Sequence, residues 1–598
     1  MSKFATMVCL AAVESKRCAR KMTPRPAMLV SALLFFGMAS QAQASLTISR
    51  RATKDVSCSA GVCQATSRDA FLNASDLANM LSSGDVTVVP GRKAMDIDVA
   101  MSLSWASAQR LTLDAYRSII IAQPVTVTGT GGLTLLTGRN NHGISGLLFF
   151  SGKGHVTFWD LHSSFRFNGQ GFKLVNSVAM LESAVAANSG GRFALAKSYD
   201  AKNDGTYSAS PIQGFSGFFE GLGNAISDVT ISDPSSGDTV GFFSSSNGIL
   251  ADFQLLNINI ASSSGNSIGG LAGANSGAVE DVGVSGTIQA NAANSLVGGL
   301  VGHNDGSMAG IGTAVTVTDY ANNASVGGLV GLNNGAILDA AAAGSVSGDG
   351  NIGGFVGFNG NTISSSYASA TVSGGQGSTS AFAGGFVGKN QAGNITLSHA
   401  SGTVSSNDSA GGFAGINQGA IGQSYSTGAA QLAIGGAQQF RTSGGFVGTN
   451  GDGSGNNPGS IVNCYAFGAA SISGSGGSVG GFAGFSGPNA QIRAAYSIGF
   501  VSSGGGNYLG GFVGQDNETL SSTYWDTDTS GVSDESKGAG NVDDDSGVTG
   551  LTTEELQFGL PAGFDPAIWG EDDFTNDGLP YLLALRPARA PAKPAGGF

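Results

Sequence analysis

Ionisable side chains are scarce in this 598-residue chain: Asp, Glu, Lys and Arg together make up 12%, about half the usual share. Histidine numbers five, cysteine five and proline 14. Low charge beside 41% hydrophobic residues argues against a chain held open by high net charge and low hydrophobicity. After the N-terminal region no apolar run reaches the length of a membrane-spanning helix. There is no His-Glu-x-x-His zinc motif, no phosphate-loop lysine motif, and no Gly-x-Ser-x-Gly elbow between a strand and a helix. These shortages leave few of the usual routes to catalysis.

The first segment reads as an export signal, residues 1–44. Lys16, Arg17, Arg20, Lys21 and Arg25 form a basic region, "AMLVSALLFFGMAS" from Ala27 is the apolar core, and "AQA" at Ala42–Ala44 fits a cleavage site. Its removal leaves 22 basic and 40 acidic residues, a net charge near −18. That disfavours nucleic acid and anionic membrane surfaces as partners. Three cysteines remain, and in an exported protein "CSAGVC" can close a small disulfide loop between Cys58 and Cys63. No further ligands lie near them for a metal site. Cys464 reads as a small buried apolar residue.

What the chain has is glycine, 97 residues of it, and a repeated phrase. "VGGLVGHNDG" at Val297 returns as "VGGLVGLNNG" at Val326, and nine such copies follow one another at spacings of 26 to 36 residues. "VGFFSSSNG" at Val240 is a degenerate earlier copy. Repeats of this length imply stacked units, each burying its apolar face on its neighbours. Each copy holds two or three short apolar runs divided by turn residues, too short and glycine-rich for helices. The expected fold is therefore all-β, a parallel β-helix (β-solenoid) of about 30-residue coils with strands about 4.8 Å apart.

Within the phrase, the large residue is Leu271, Leu300, Leu329, Phe355, Phe386, Phe413, Phe446, Phe482 or Phe512. These nine are expected to point inward as a ladder, with flanking glycines leaving room. Asn275, Asn304, Asn333, Asn359, Asn390, Asn417 and Asn450 recur at the turn, where Asn tolerates left-handed backbone and can bond between coils. Tyr367, His399, Tyr425, Tyr465, Tyr496 and Tyr524 form a further aromatic register, read as packing. With the ladders facing inward, binding falls to turns and inserts such as "NGDGSGNNPGS" from Asn450.

Residues 45–170 read as earlier solenoid coils, since "RLTLDAYRSIIIAQPVTVTGTGGLTLLTG" alternates apolar and polar residues. Short helices are expected from Ala74 and from Ser177, the first able to cover an open solenoid end. The remaining divisions are a connecting segment at 171–232, the repeat β-helix at 233–522, an acidic C-terminal cap at 523–585 and a disordered tail at 586–598.

The Gly-Gly-[Leu/Phe]-[Val/Ala]-Gly-x-Asn phrase resembles the GLUG repeat of bacterial surface proteins, and "SGFFEGLGNAISDVTIS" from Ser216 looks like the segment that precedes such repeats. "LSWASAQRLTLDAYRSIIIAQPVTVTGTGGLTL" and "FKLVNSVAMLESAVAANSGGRFALAKSYDA" resemble filamentous-haemagglutinin-like exoproteins. The resemblance covers roughly residues 85–585 and implies a secreted or surface β-helix, adhesin-like. The chain departs from the two-partner-secretion pattern in having no Asn-Pro-Asn motif; "NNPG" at Asn456 is a repeat insertion.

Candidate chemistry in the sequence is sparse. His142, His155, His162, His303 and His399 show no ligand pair at useful spacing. "DTDTSGVSDESK" from Asp526 has the carboxylates and glycine of a calcium loop, but Lys537 stands where a bidentate Glu belongs. A solvated acidic loop is the preferred reading. Between Ala261 and Gln515 eight acids and three bases are scattered among different repeats, whereas a β-helix glycan lyase or hydrolase gathers them in one groove. The reading is a non-catalytic, exported β-helix without cofactor or metal, secreted or on the bacterial surface, with a host-cell, matrix or glycan ligand. The alternatives are a β-helix polysaccharide lyase or hydrolase, or a purely structural envelope protein in the periplasm.

Overall fold

Successive glycine-rich phrases lie one rung apart. Val297 sits beside Ile268 on one side and Val326 on the other, and Gly298 lies between Gly269 and Gly327. The computed structural model describes residues 44–587 apart from 92–93, 139–145, 235–238, 376–380, 434–440, 506–507 and 518–519. It is all-β, 6% helical, a β-solenoid of about 16 turns with coils about 29 residues apart. The expected signal segment, His142 and the tail from 588 lie outside the described residues.

Two compact units divide the chain: residues up to 175 with 194–197 and 222–224, and residues 176–193, 198–221 and 225 onward. In the second unit one register runs through every rung. Phe219, Leu250, Val279, Met308, Ile337, Ile363, Ile395, Ile421, Ile461, Ile492 and Leu520 stand side by side. All are nearly or fully buried. A corner follows, and at that corner each coil puts one residue in the left-handed region: Asp252, Asp281, Gly310, Asp339, Ser365, Leu397, Gln423, Asn463, Ala494 and Ser522, with φ between 46° and 68°. Such a residue turns the strand sharply while leaving the ladder on either side in register.

The nine large residues of the phrase have no solvent exposure. Phe355, Phe386, Phe413, Phe446, Phe482 and Phe512 stack face to face, with ring centroids 4.5 to 4.9 Å apart. Burying each contributes at most ~1.5–3 kcal/mol. The flanking glycines answer a tighter constraint than room for the ring. A Cβ on Gly385 would lie 2.2 Å from the carbonyl oxygen of Gly412, and one on Gly384 would lie 2.1 Å from that of Val387. Backbone of the same turn and of the next coil occupies the space that any side chain would need.

The seven asparagines are also buried, each at 0–1% exposure. Every Nδ2 from Asn275 to Asn417 donates to the Oδ1 of the Asn one coil on, at 2.8–2.9 Å. A second proton on each reaches a carbonyl of the following turn, as in Asn333 to Gly335 at 3.0 Å. Asn450 ends the column by donating to the carbonyl of Gln491 at 3.3 Å. Ser246 and Ser486 flank the column in register with Asn275 and Asn450. Their hydroxyls are buried without a hydrogen-bond partner among the described residues.

The first unit uses the same principle with shorter strands. Ala70–Asn73, Ser45–Ser49, Asp96–Val99, Ile119–Ile121 and Leu148–Phe150 pair in that order, all parallel. Leu103–Trp105, Val125–Val127 and Val156–Phe158 form a second face. Helix Ala74–Leu81, capped by the Asn73 side chain, packs beside Leu103–Trp105. It thereby covers the first edge of that face. Cys58 and Cys63 face each other across the hairpin Val56–Ser59/Val62–Ala65 and are disulfide-bonded. Cys464 is a buried free thiol.

Two boundaries differ from expectation. The rungs of the second unit begin inside 171–232, where Tyr199–Asp200 pairs with Ala225–Ser227 and Phe218–Glu220 pairs with Ile249–Ala251. Phe219, Ile226 and Ile231 already carry the buried register there, although the Gly-Gly phrase that marks later coils is absent. At the other end, 523–551 is a last coil, not a cap. Trp525 turns inward, fully buried, in register with Ser497 and fills the interior. The segment 552–585 departs from the solenoid path.

The asparagine column yields a stability test. Asn333→Leu would orphan one proton of Asn304 Nδ2 and one lone pair of Asn359 Oδ1, each atom keeping a bond of 3.4 Å within its own turn. Each buried orphan costs about 1–3 kcal/mol, so urea titration should show a loss of about 2–5 kcal/mol. Asn275→Leu, at the column's end, should lose about half of that.

Candidate functional site

Outward side chains are mostly short and polar over the repeats; Tyr320, Leu338, Phe500 and Tyr508 are isolated exposed exceptions, and one run of aromatics continues over consecutive coils. Alternation along the strand Ser460–Ala466 buries Cys464 and Ala466 inside, which turns Tyr465 outward. The same register holds Tyr367, His399, Tyr425, Tyr465, Tyr496 and Tyr524 on consecutive coils. Their rings stack at centroid spacings of 5.1, 4.8, 4.8 and 5.4 Å from Tyr367 to Tyr496. This ladder faces away from the solenoid interior. The expectation that all ladders point inward fails here because the strand alternates about small inward residues, Ala368, Ala400, Ser426 and Ala466.

The downstream half of the ladder is covered by the segment 552–585, a strap along the outer face. Leu556, Phe564, Trp569, Leu579 and Leu582 bury themselves against Tyr465, Tyr496 and Tyr524. Trp569 Nε1 donates to the corner amide of Asn463 at 3.1 Å. Tyr496 Oη donates to the carbonyl of Pro580 at 2.6 Å, and Tyr524 Oη to that of Ala562 at 2.7 Å. Asp572 organises the strap from within, accepting from Tyr581 Oη and Thr575 Oγ1 and pairing with Arg586. The upstream rungs, Tyr367, His399 and Tyr425, are only half-buried. Burial pushes the hydroxyls of Tyr367 and Tyr425 up to about 12 and His399 down to about 4. All three are therefore neutral at neutral pH.

Acidic side chains gather at one corner of the second unit. Glu220, Ala251 and Glu280 share a register, and Asp252, Asp281, Gly310 and Asp339 occupy the next, left-handed position. Acids that look scattered in sequence are thus neighbours on consecutive coils. The signal was present, since Asp252, Asp281, Gly310 and Asp339 recur every 29 residues. Desolvation, then the charge of Glu220, holds the Asp252 carboxyl well above its usual range. Desolvation, then Glu280 and Asp339, pushes Asp281 up to about 6. Asp281 and Asp339 remain solvent-exposed, which limits the energetic weight of those shifts. The sequence has no Lys or Arg between Lys202 and Lys389. Asp is also well suited to the backbone there, because it tolerates the left-handed conformation.

The other expected features have local duties. In the insert after Asn450, Asp452 accepts backbone N–H bonds from Ser454, Gly455 and Asn457. Desolvation raises this carboxyl, yet the bonds from Asn457 and Ser454 bring it down to about 2. Asp526, expected in a solvated loop, is fully buried and accepts from Thr553 Oγ1 at 2.6 Å, while Asp528 accepts from Thr553 N at 3.0 Å. They anchor the start of the strap. His303 lies 3.1 Å from Asp305 and 3.2 Å from Asn334 on the outer face, and His162 pairs with Asp160 on the surface. His155 is half-buried, with Nδ1 3.0 Å from the carbonyl of Lys153. Among the described residues no group of three or more His, Cys, Asp or Glu could hold a metal ion, and no helix is long and apolar enough to cross a membrane.

Two measurements follow. Because His399 titrates near 6.5 when unfolded and near 4 in the fold, the unfolded chain takes up the proton first as pH falls. The fold should lose stability between about pH 6.5 and 4, by about 1–2 kcal/mol after allowance for partial exposure. Thermal melts of His399→Tyr across that range should lack this component. Trp569→Ala should weaken strap docking by about 3–5 kcal/mol, and limited proteolysis should then cut within 552–585 while the coils stay intact.

Comparison of the chain with protein-family models, with curated proteins and with solved structures returns no significant match.

Proposed function

We propose that this protein is an exported, non-catalytic β-solenoid of the bacterial surface, adhesin-like, in keeping with its resemblance to GLUG-repeat and filamentous-haemagglutinin-like exoproteins. One observation carries the reading: the polar chemistry of the repeats is committed to holding coils together, while an uncharged aromatic stripe is left facing outward. The asparagine amides satisfy one another from coil to coil. A surface scaffold needs this kind of regularity, and an attachment site needs the open stripe. The ligand is a cell-surface, matrix or glycan component.

A second reading rests on the acidic corner. Glu220 and Asp252, with Asp281 close by and raised to about 6, resemble the protonated and ionised carboxyls that hydrolyse glycosides. The sequence places no Lys or Arg between Lys202 and Lys389, and the left-handed backbone accounts for Asp at this corner, so the first reading is preferred.

Protease shaving of intact cells, with a tag on the chain and a periplasmic control protein, tests the first reading. Loss of the tagged band while the control survives is the expected result; protection of both overturns surface display. Incubation with neutral and acidic polysaccharides should release no reducing ends or unsaturated products. Cleavage that vanishes in Asp281→Asn and Glu220→Gln would establish the second reading instead.

A further inference from the structure

The tyrosine ladder is one structure with two fates. Three rungs, Tyr465, Tyr496 and Tyr524, are covered by the strap. Three rungs, Tyr367, His399 and Tyr425, continue the same stack in the same register, and among the described residues Tyr367 and His399 lie outside the cluster the strap forms. Tyr425 is the boundary, packed partly against the strap's cluster.

The open half retains the features the strap uses. In the covered half the corner amide of Asn463 accepts the Trp569 indole N–H. One coil upstream the equivalent left-handed corner residue is Gln423, which offers the same side-chain carbonyl. In the covered half the tyrosine hydroxyls donate to main-chain carbonyls. In the open half the Tyr367 hydroxyl is already buried and has no hydrogen-bond partner among the described residues, so an incoming segment meets the ring edges there and not that hydroxyl. The open half also differs in one column. Two residues beyond each ring, Phe467 and Ile498 pack against the strap, whereas Ser369, Ser401 and Thr427 are exposed at the equivalent positions upstream. The apolar column ends where the strap ends.

We propose that the open rungs Tyr367, His399 and Tyr425 are a docking site for an extended polypeptide segment that binds as the strap does. The segment has an aromatic anchor over the ring edges with a donor toward the Gln423 side-chain carbonyl, hydroxyl or amide side chains toward Ser369, Ser401 and Thr427, and no charge at the contact. Continuity with the strap's own contact selects this chemistry. The proposal rests on the reading of the chain as a non-catalytic attachment protein and specifies what its open stripe takes. A polypeptide is favoured over a glycan because the rings stack on one another and present edges, leaving no face for a sugar ring to stack on.

The test uses the full-length chain, with its own strap in place, and a fluorescent synthetic peptide spanning Thr552–Leu585 as probe. Anisotropy titration should show saturable binding of one peptide per chain, and a peptide carrying Trp569→Ala should bind about tenfold more weakly. Tyr367→Ala with His399→Asp should abolish binding. Ser401→Arg, at an exposed position outside the ring stack, should do so without touching the buried packing, and circular dichroism should confirm that both variants keep the strand signal. Absence of binding overturns the proposal. Binding that survives both variants overturns it too, because the peptide has then exchanged into the strap's own site. Binding of β-linked oligosaccharides that Ser401→Arg removes, with no peptide binding, assigns the stripe to glycans and also overturns it. Polysaccharide cleavage or protection in the shaving assay would sink the surface reading while leaving these titrations interpretable.

Discussion

Parallel strands must lie near 4.8 Å apart to hydrogen-bond, and everything periodic in this molecule is fitted to that distance. Phenylalanine rings meet their neighbours at 4.5 to 4.9 Å, near the spacing at which flat rings touch. An asparagine amide spans the same gap with a bond of 2.8–2.9 Å. Glycine is required wherever backbone approaches backbone more closely than a Cβ allows, as at Gly384 and Gly385. The phrase repeats because each of its residue types is a different solution to one spacing.

That constraint explains which parts of the fold could be read from residues alone. The interior ladders announce themselves, since a strict contact geometry permits few substitutions: Leu or Phe in one place, Asn in another. The left-handed corner did not, because Asp, Ser, Leu, Gln, Asn and Ala all occupy it and only the backbone conformation is common to them. The early rungs near Tyr199 and Phe218 were equally hidden. Their apolar residues keep the register, but the glycines that make a repeat recognisable are missing, so a distance-based repeat search passes over them.

The outward ladder is visible in the sequence as a spacing, but its direction is not. Tyrosine at a fixed interval says that rings stack; it does not say on which side of the strand. Direction is decided by the neighbours, Ala368, Ala400 and Ala466, which are small because they fill a crowded interior. Nothing local could reveal the strap, because its partners lie about a hundred residues away, as Trp569 and Asn463 do. Its acidic composition suggested a terminal cap, whereas its buried residues are aromatic and leucine.

The asparagine column has a direction, since each amide nitrogen points to the next coil in chain order. Its interior members are interchangeable and only the two ends are distinct. Duplication or loss of one whole coil therefore leaves the same two ends and creates no new polar mismatch, while gain or loss of part of a coil breaks the column at once. A gene encoding this chain can change its copy number in units of about 29 residues with little penalty. The span between its two ends is in that sense an adjustable trait, and the identity of any single middle repeat is not.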